Sequence, residues 1–347
     1  MNSLPLFQEF ETLARNVPFV PLGTYPTPVQ RLANLQKELG LESLWIKRDD
    51  LTSDFYGGNK VRSLEFSLAL ACERKAELVV VYSAVGSNWP LACVVHARRL
   101  GLPTDVYFFP FPMDEVKRKN LAAVQKLARR VVSARSLVTF APVFLWKVAQ
   151  SARRMRVYRT PPGGVSPTTT LGYVNAVLEL KAQVERGELP RPDYIFCPLG
   201  SGGTAAGLAI GLQLVGWPTR LIAVRVVDRL VANKWRLLWL IRQTLGVLAR
   251  TGVHVPLRRA WDDILCIDHR CIGKGYSRPT PEAETCIALL RSHENCLLDV
   301  AYTGKAFCAI LNAAQDPTLR RKHLLFWHTL NSRPLDELEG KLLTERA

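Results

Sequence analysis

The stretch Asp193–Val215, DYIFCPLGSGGTAAGLAIGLQLV, reads as a strand over Asp193–Pro198, a glycine turn over Gly200–Gly203 and an apolar helix over Thr204–Val215. A second strand pattern follows at Arg220–Val227, RLIAVRVV. Strands separated by helices place the chain among α/β folds with mostly parallel sheets. The alternation extends upstream. Ser43–Lys47, Glu77–Tyr82 and Asp105–Phe109 read as strands; Asn59–Glu73, Asn88–Leu100 and Glu115–Arg129 read as helices. Val61, Leu64, Leu68 and Ala71 fall near helical spacing in the first of these. Leu324–Trp327 is a last short strand, ending in His-Thr. Thr160–Thr170, TPPGGVSPTTT, reads as a loop and a crossing between domains.

Composition narrows the classes. A chain of 347 residues exceeds what one typical core fills, so two coupled domains are expected. With 48% apolar and 22% charged residues it is a globular chain rather than a disordered one. No run of about 18 apolar residues exists to form a membrane-spanning helix. The N-terminus carries Glu9 and Glu11 and lacks a basic-then-apolar secretory start, so a cytoplasmic protein is expected. The eight cysteines are scattered without a CxxC pair, as free thiols in a reducing compartment would be. Cys266, His269 and Cys271 fit no standard zinc spacing, and no metal is expected.

Charge is the outlier, at +16. Between Ser63 and Thr170 there are 16 basic and 6 acidic residues, and Lys117–Arg159 has 12 basic residues and no acidic one. Such an excess raises the possibility of a basic, catalytically silent binding protein. Aromatics are not interleaved with the bases, and no nucleic-acid motif appears, so no specific nucleic acid is expected as a partner. Helices in this region would cover a sheet and show a solvated basic face.

Two segments carry chemistry. In Gly200, Ser201, Gly202, Gly203 and Thr204, small residues between a strand and a helix let backbone N–H groups approach an anion, and the helix N-terminus adds partial positive charge. A phosphate is the natural guest; a tight turn with glycines for packing is the alternative. The second segment is Lys47–Leu64, KRDDLTSDFYGGNKVRSL, in which Lys60 follows Gly-Gly-Asn at a helix start. Burial and the helix N-terminus both disfavour the charged amine, as imine chemistry requires. A lysine and a phosphate cradle together suggest one aldehyde cofactor with a phosphate arm, pyridoxal 5′-phosphate.

DDLTSDFYGGNKVRSLEF at Asp49–Phe66 resembles the lysine segment of fold-type II pyridoxal-phosphate enzymes, specifically the D-cysteine desulfhydrase / 1-aminocyclopropane-1-carboxylate (ACC) deaminase family. PTPVQRL at Pro26–Leu32, GSNWPLA at Gly86–Ala92, PPGGVSPTTTLGYV at Pro161–Val174, GKGYSRPTPE at Gly273–Glu282, LLDVAYTGKAF at Leu297–Phe307 and FWHT at Phe326–Thr329 are similar to its other segments, in the same order. The resemblance spans roughly residues 20–335 and implies a two-domain fold like the tryptophan synthase β-subunit, each domain an open twisted, mostly parallel sheet with flanking helices. Residues 1–62 and 171–347 would form the large cofactor-binding domain and 63–170 the small one. A homodimer is also implied.

The resemblance implies roles as well. Lys60 would carry the cofactor covalently and act as base. The Gly200–Thr204 turn would hold its phosphate, Asn88 the ring's 3′ oxygen, and Thr329 would meet the pyridine nitrogen. Asn59 would shape the loop. Ser87 would contact the substrate carboxylate, and Tyr302 and Tyr276 would face the substrate. Read without the family, Ser87-Asn88 could be a helix N-cap, and the tyrosines packed aromatics. His328 reads as an oriented structural residue.

ACC deaminases tend to carry Glu after the tyrosine and Leu in place of Thr329. Thr303 and Thr329 put this chain on the desulfhydrase side, implying β-elimination from a small D-amino acid. ACC ring opening, racemisation or β-replacement on the same site are the alternatives. Two departures stand out. Trp89-Pro90 replace the usual His or Gln after Ser-Asn, and the indole is expected to reshape the substrate pocket. Leu330-Asn331-Ser332 replace a Gly-Gly pair and remove backbone freedom beside the cofactor ring. The basic amphipathic stretch Asp228–Arg250 has no assignment beyond a dimer face or a lid.

Overall fold

The structure, a computed structural model, describes residues 4–344. Its strands are β1 (Val29–Arg31), β2 (Ser43–Lys47), β3 (Leu78–Ala84), β4 (Thr104–Phe109), β5 (Arg130–Ser133), β6 (Val157–Arg159), β7 (Tyr194–Leu199), β8 (Arg220–Arg225), β9 (Leu265–Asp268) and β10 (His323–Trp327). They form two sheets, one ordered β1-β2-β10-β7-β8-β9 and the other β5-β4-β3-β6. Every pairing is parallel except β1 with β2. The α/β class with mostly parallel sheets is therefore observed.

Strand order positions the site. In the larger sheet β7 leads through β8 to β9 on one side while β10 lies on the other; in the smaller sheet β3 leads through β4 to β5 while β6 lies opposite. Connections leaving a strand pair in opposite directions open a crevice beyond the strands' carboxyl ends. β7 runs into Gly200, β10 into His328-Thr329, and β3 into Gly86-Ser87-Asn88. The three motifs singled out in the sequence are thus the carboxyl ends of switch-point strands.

Several elements depart from the sequence reading. The Thr160–Thr170 segment is not loop throughout: a helix, Pro167–Glu185, begins inside it. Ser166 caps it, accepting from the Thr169 N–H while the Thr169 hydroxyl accepts from the Ser166 N–H. That reciprocal pair satisfies helix-end groups that a Pro-Gly-Thr composition does not advertise. The basic stretch after the Glu115–Leu127 helix contains β5, β6 and a helix, Leu137–Ala152. Its charges are not all solvated. Lys117 is buried, donating to the Pro112 carbonyl and pairing with Asp114, while Arg129 pairs with buried Asp105. Leu338 and Leu342, from the helix Leu335–Thr344, belong to the core cluster beneath the smaller sheet.

A buried charge network lies under the crevice. Arg62, on the helix Lys60–Glu73, donates to Asp49 at 2.7 Å and to Glu179 at 2.9 Å. Lys47 at the end of β2 also donates to Glu179. Tyr173 and Trp327 both donate to Asp49, at 2.8 and 2.7 Å. Buried ions are tolerated only when paired and hydrogen-bonded. This network ties β2, β10 and the helices Lys60–Glu73 and Pro167–Glu185 into one floor.

Candidate active site

A cavity of about 390 Å³ opens at the carboxyl ends of the switch-point strands. Every residue expected to act on cofactor or substrate lines it: Lys60, Asn59, Ser87, Asn88, the Gly200–Thr204 turn, Tyr276, Tyr302 and Thr329. His328 does not; it is buried beside Asp50, 3.8 Å from the carboxylate.

Lys60 opens its helix, and its amine donates to the carbonyl oxygen of Gly163 at 3.1 Å. Burial pulls the amine down to about 8. A neutral amine is thereby accessible near physiological pH. Asn59 occupies the cap position but does not cap with its side chain. Its Nδ2 donates to the Thr204 hydroxyl at 3.2 Å and its backbone N–H to the Thr329 carbonyl at 3.1 Å. One asparagine therefore joins the lysine loop, the glycine turn and the end of β10. The preceding Gly58 has φ +89°, and a Cβ there would lie 2.9 Å from the Thr329 carbonyl oxygen, so only glycine fits.

The Gly200–Thr204 turn leads into the helix Gly203–Val215, whose N-terminus has no side-chain cap. Uncapped N–H groups and the helix dipole there suit an anionic oxygen. Leu237 and Leu240, from the unassigned basic stretch, back this turn: a side chain added to Gly202 would meet both. That stretch forms the helix Lys234–Arg250, with Trp235 and Trp239 exposed on its outer face.

Ser87 stands at the cap position of the helix Asn88–Arg99, but its hydroxyl makes no cap bond. The asparagine beside it accepts through Oδ1 from Asn120 Nδ2 at 2.7 Å. Tyr276 and Tyr302 share a 2.6 Å hydroxyl contact. Burial, and then the neighbouring tyrosine, pushes Tyr302 well above its ordinary value; burial also raises Tyr276. Both are protonated at neutral pH and can donate hydrogen bonds. A tyrosine serves as proton donor or base at neutral pH only when its surroundings lower its pKa, and here they raise it.

Structure revises the reading of three positions. Thr303 does not line the cavity: it is fully buried, and its hydroxyl donates to Asp299 at 2.6 Å. It can touch the chemistry only through Asp299 and Tyr302. Trp89 does edge the cavity, but it is 1% exposed and packs against Gly164. The indole braces that backbone segment and also forms part of the cavity wall, its ring centroid 6.0 Å from the Lys60 Nζ. Asn331 replaces the lost glycine flexibility with a bond, accepting from the Gly57 N–H at 2.8 Å and the Arg333 N–H at 3.1 Å. Asp228 and Asp299 also line the cavity, and no sequence pattern singled them out.

These residues fit pyridoxal 5′-phosphate: an amine near pKa 8, an uncapped helix start for phosphate, an amide donor, and a neutral hydroxyl at the end of β10. Comparison with known proteins agrees. The family model "Pyridoxal-phosphate dependent enzyme" matches residues 20–329. A relative from Pyrococcus horikoshii, "Putative 1-aminocyclopropane-1-carboxylate deaminase", is 34% identical over 324 residues, covering 92% of this chain and 93% of its own. "D-cysteine desulfhydrase" of Salmonella paratyphi C is 31% identical over 314 residues, covering 88% and 91%. A crystal structure of an "ACC deaminase homologue" superposes with a TM-score of 0.79 at 29% identity, over 99% of this chain and all of that one.

Proposed function

Because the chain belongs to the pyridoxal-phosphate dependent enzyme family, we propose that it is a lyase of the D-cysteine desulfhydrase type. In this reading one D-cysteine and one water give pyruvate, ammonia and hydrogen sulfide. The observation that carries it is the convergence of Lys60, the glycine turn, the tyrosine pair and Thr329 on one cavity. The hydroxyl at Thr329, with no carboxylate at position 303, favours this reaction over ACC ring opening. ACC deamination is the second reading, supported by the relatives that carry that name.

Bound at Lys60, the cofactor supplies an aldehyde to capture the substrate amine and a ring to draw electrons from the α-carbon. The remaining work falls to the chain. The uncapped helix at Gly203 and the Thr204 hydroxyl hold the phosphate. Asn88 would donate to the ring oxygen, and the Thr329 hydroxyl would meet the ring nitrogen without forcing its protonation. Ser87 and the start of its helix receive the substrate carboxylate. Lys60 takes the α-proton at Nζ while the Gly163 carbonyl orients that amine. Tyr302 donates a hydrogen bond to the departing sulfur, and Tyr276, at 2.6 Å, holds the Tyr302 hydroxyl in place.

The same reading divides the chain into 1–62 with 171–347, and 63–170; the distribution of strands between the two sheets supports that division, while the helix Leu335–Thr344 packs back beneath the smaller sheet. It extends to a homodimer working in the cytoplasm, with the exposed tryptophans of the Lys234–Arg250 helix as the first surface to test. Among the described residues no helix is long and apolar enough to cross a membrane. Purified protein should absorb at roughly 410–430 nm, and a Lys60→Ala variant should not. Sulfide from D-cysteine supports the lead; 2-oxobutyrate from ACC, without sulfide from D-cysteine, moves the assignment to the second reading. L-cysteine and β-chloro-D-alanine test stereochemistry and leaving group.

A further inference from the structure

We propose that Asn120 is a positioning residue that fixes which face of the Asn88 amide the cofactor meets. Asn120 sits on the helix Glu115–Leu127 and is 4% exposed. Its Nδ2 donates to the Gly86 carbonyl oxygen at 3.0 Å and to Asn88 Oδ1 at 2.7 Å. A backbone carbonyl only accepts, so the Gly86 contact fixes which end of the Asn120 amide is nitrogen. With that nitrogen donating, the atom of Asn88 facing it must be oxygen; a rotated Asn88 would set two donors against each other. Oδ1 is thereby committed, and Nδ2 is the end of the Asn88 amide left to donate into the cavity that Asn88 lines.

An amide free to turn presents donor or acceptor equally, and at an oxygen that carries negative charge the acceptor face repels. Asn120 removes that choice before the ligand arrives, which preserves affinity otherwise lost in ordering the side chain. Its position in the middle of a basic helix gives no motif signal; only the fold brings it against the Gly86–Asn88 loop.

The proposal rests on the reading that Asn88 meets the cofactor's 3′ oxygen, and the test separates the two. Affinities of cofactor-stripped protein are measured for pyridoxal 5′-phosphate and for its 3-deoxy analogue. Wild type should prefer the parent by about tenfold, as a hydrogen bond to a charged oxygen warrants. Asn88→Ala should abolish that preference. In Asn120→Asp, an acceptor replaces the donor, Asn88 turns its Nδ2 inward, and the preference should fall to about one, with affinity for the analogue held within about threefold. A loss of fold would reduce both affinities together and would not move their ratio alone. Asn120→Ala, which leaves no carboxylate beside the Gly86 carbonyl, frees the Asn88 amide to turn and should about halve the preference, which carries the comparison should the aspartate variant not fold. A preference lost in Asn88→Ala but intact in both Asn120 variants overturns the proposal alone. A wild type that shows no preference overturns the reading of Asn88 and the proposal with it.

Discussion

The amine of Lys60 donates to the carbonyl oxygen of Gly163 at 3.1 Å. A carbonyl orients an ammonium or an amine without supplying the full countercharge that would keep it protonated. Burial therefore prevails, and the amine comes down to about 8. The Gly163 carbonyl is in turn held by its neighbour: Gly164 has φ +77°, and a Cβ there would fall 2.4 Å from the Trp89 ring. Trp89, Gly164, Gly163 and Lys60 form one packed line from the smaller sheet's first helix to the reactive nitrogen.

Cofactor uptake should follow the state of that amine. Only the neutral form attacks an aldehyde, so the uptake rate of stripped protein should rise with pH and level off above about 8. Stopped-flow absorbance across pH 6 to 10, each pH chosen as a test condition, reads the midpoint. A rate independent of pH would sink the assignment of Lys60 as the attacking group.

Gly164→Ala should destabilise the protein by about 2 kcal/mol or more, from the ring clash and the left-handed backbone together. In the double variant with Trp89→Ala the clash is relieved, so the two effects should not add. Thermal or denaturant unfolding of the four proteins completes the cycle; strict additivity would show that the pair does not touch.

Tyr302→Phe should keep cofactor binding and lose about a hundredfold in kcat, the contribution of a hydrogen bond to charge developing on the departing sulfur. Tyr276→Phe removes only the 2.6 Å partner and should lose less, about tenfold. Leaving groups that need no proton, as in β-chloro-D-alanine, should restore much of the Tyr302→Phe rate. Equal losses with both substrates would remove Tyr302 from the departure of the sulfur.

Glu179 governs the acid limit of stability. Burial alone raises its carboxyl, but the Arg62 and Lys47 charges override that and hold it at about 2, below its ordinary 4.5. A depressed acid contributes stability that is complete above 4.5 and is lost as pH falls toward 2. Unfolding free energy should therefore decline through that window. Glu179→Gln should flatten this part of the profile and destabilise the neutral protein by about 3 to 5 kcal/mol, leaving Lys47 and Arg62 undercompensated.

Asn331→Ala should lose the bond to the Gly57 N–H, about 1 to 2 kcal/mol of local order, and weaken cofactor retention several-fold. Asn331→Gly, which restores the residue type the family favours, should weaken retention similarly here because the side chain holds the loop. Dialysis against cofactor-free buffer gives the retention half-life; an unchanged half-life in both variants would mean the loop stands without Asn331.

Sequence alone determined the α/β class, the strand–glycine–helix turn at Gly200–Thr204 and the lysine segment at Lys60. Those are local matters: side-chain period, small residues where backbone must approach a ligand, and a short motif read within one loop. It also brought Ser87, Tyr276, Tyr302 and Thr329 forward through family resemblance, and all of them line the cavity. It could not determine what each side chain does with its other atoms. Thr303 marked the desulfhydrase side and is spent on Asp299; Trp89, expected to reshape the pocket, also braces Gly164; Asn331 looked like a loss of freedom and is a clamp. Asn120 and the Glu179 network gave no signal, because their partners are distant along the chain, and Asp228 and Asp299 gave none because only the fold brings them to the cavity. Hydrogen-bond direction and burial depend on which segments meet beyond the ends of β3, β7 and β10, and only the packed sheets bring those segments together.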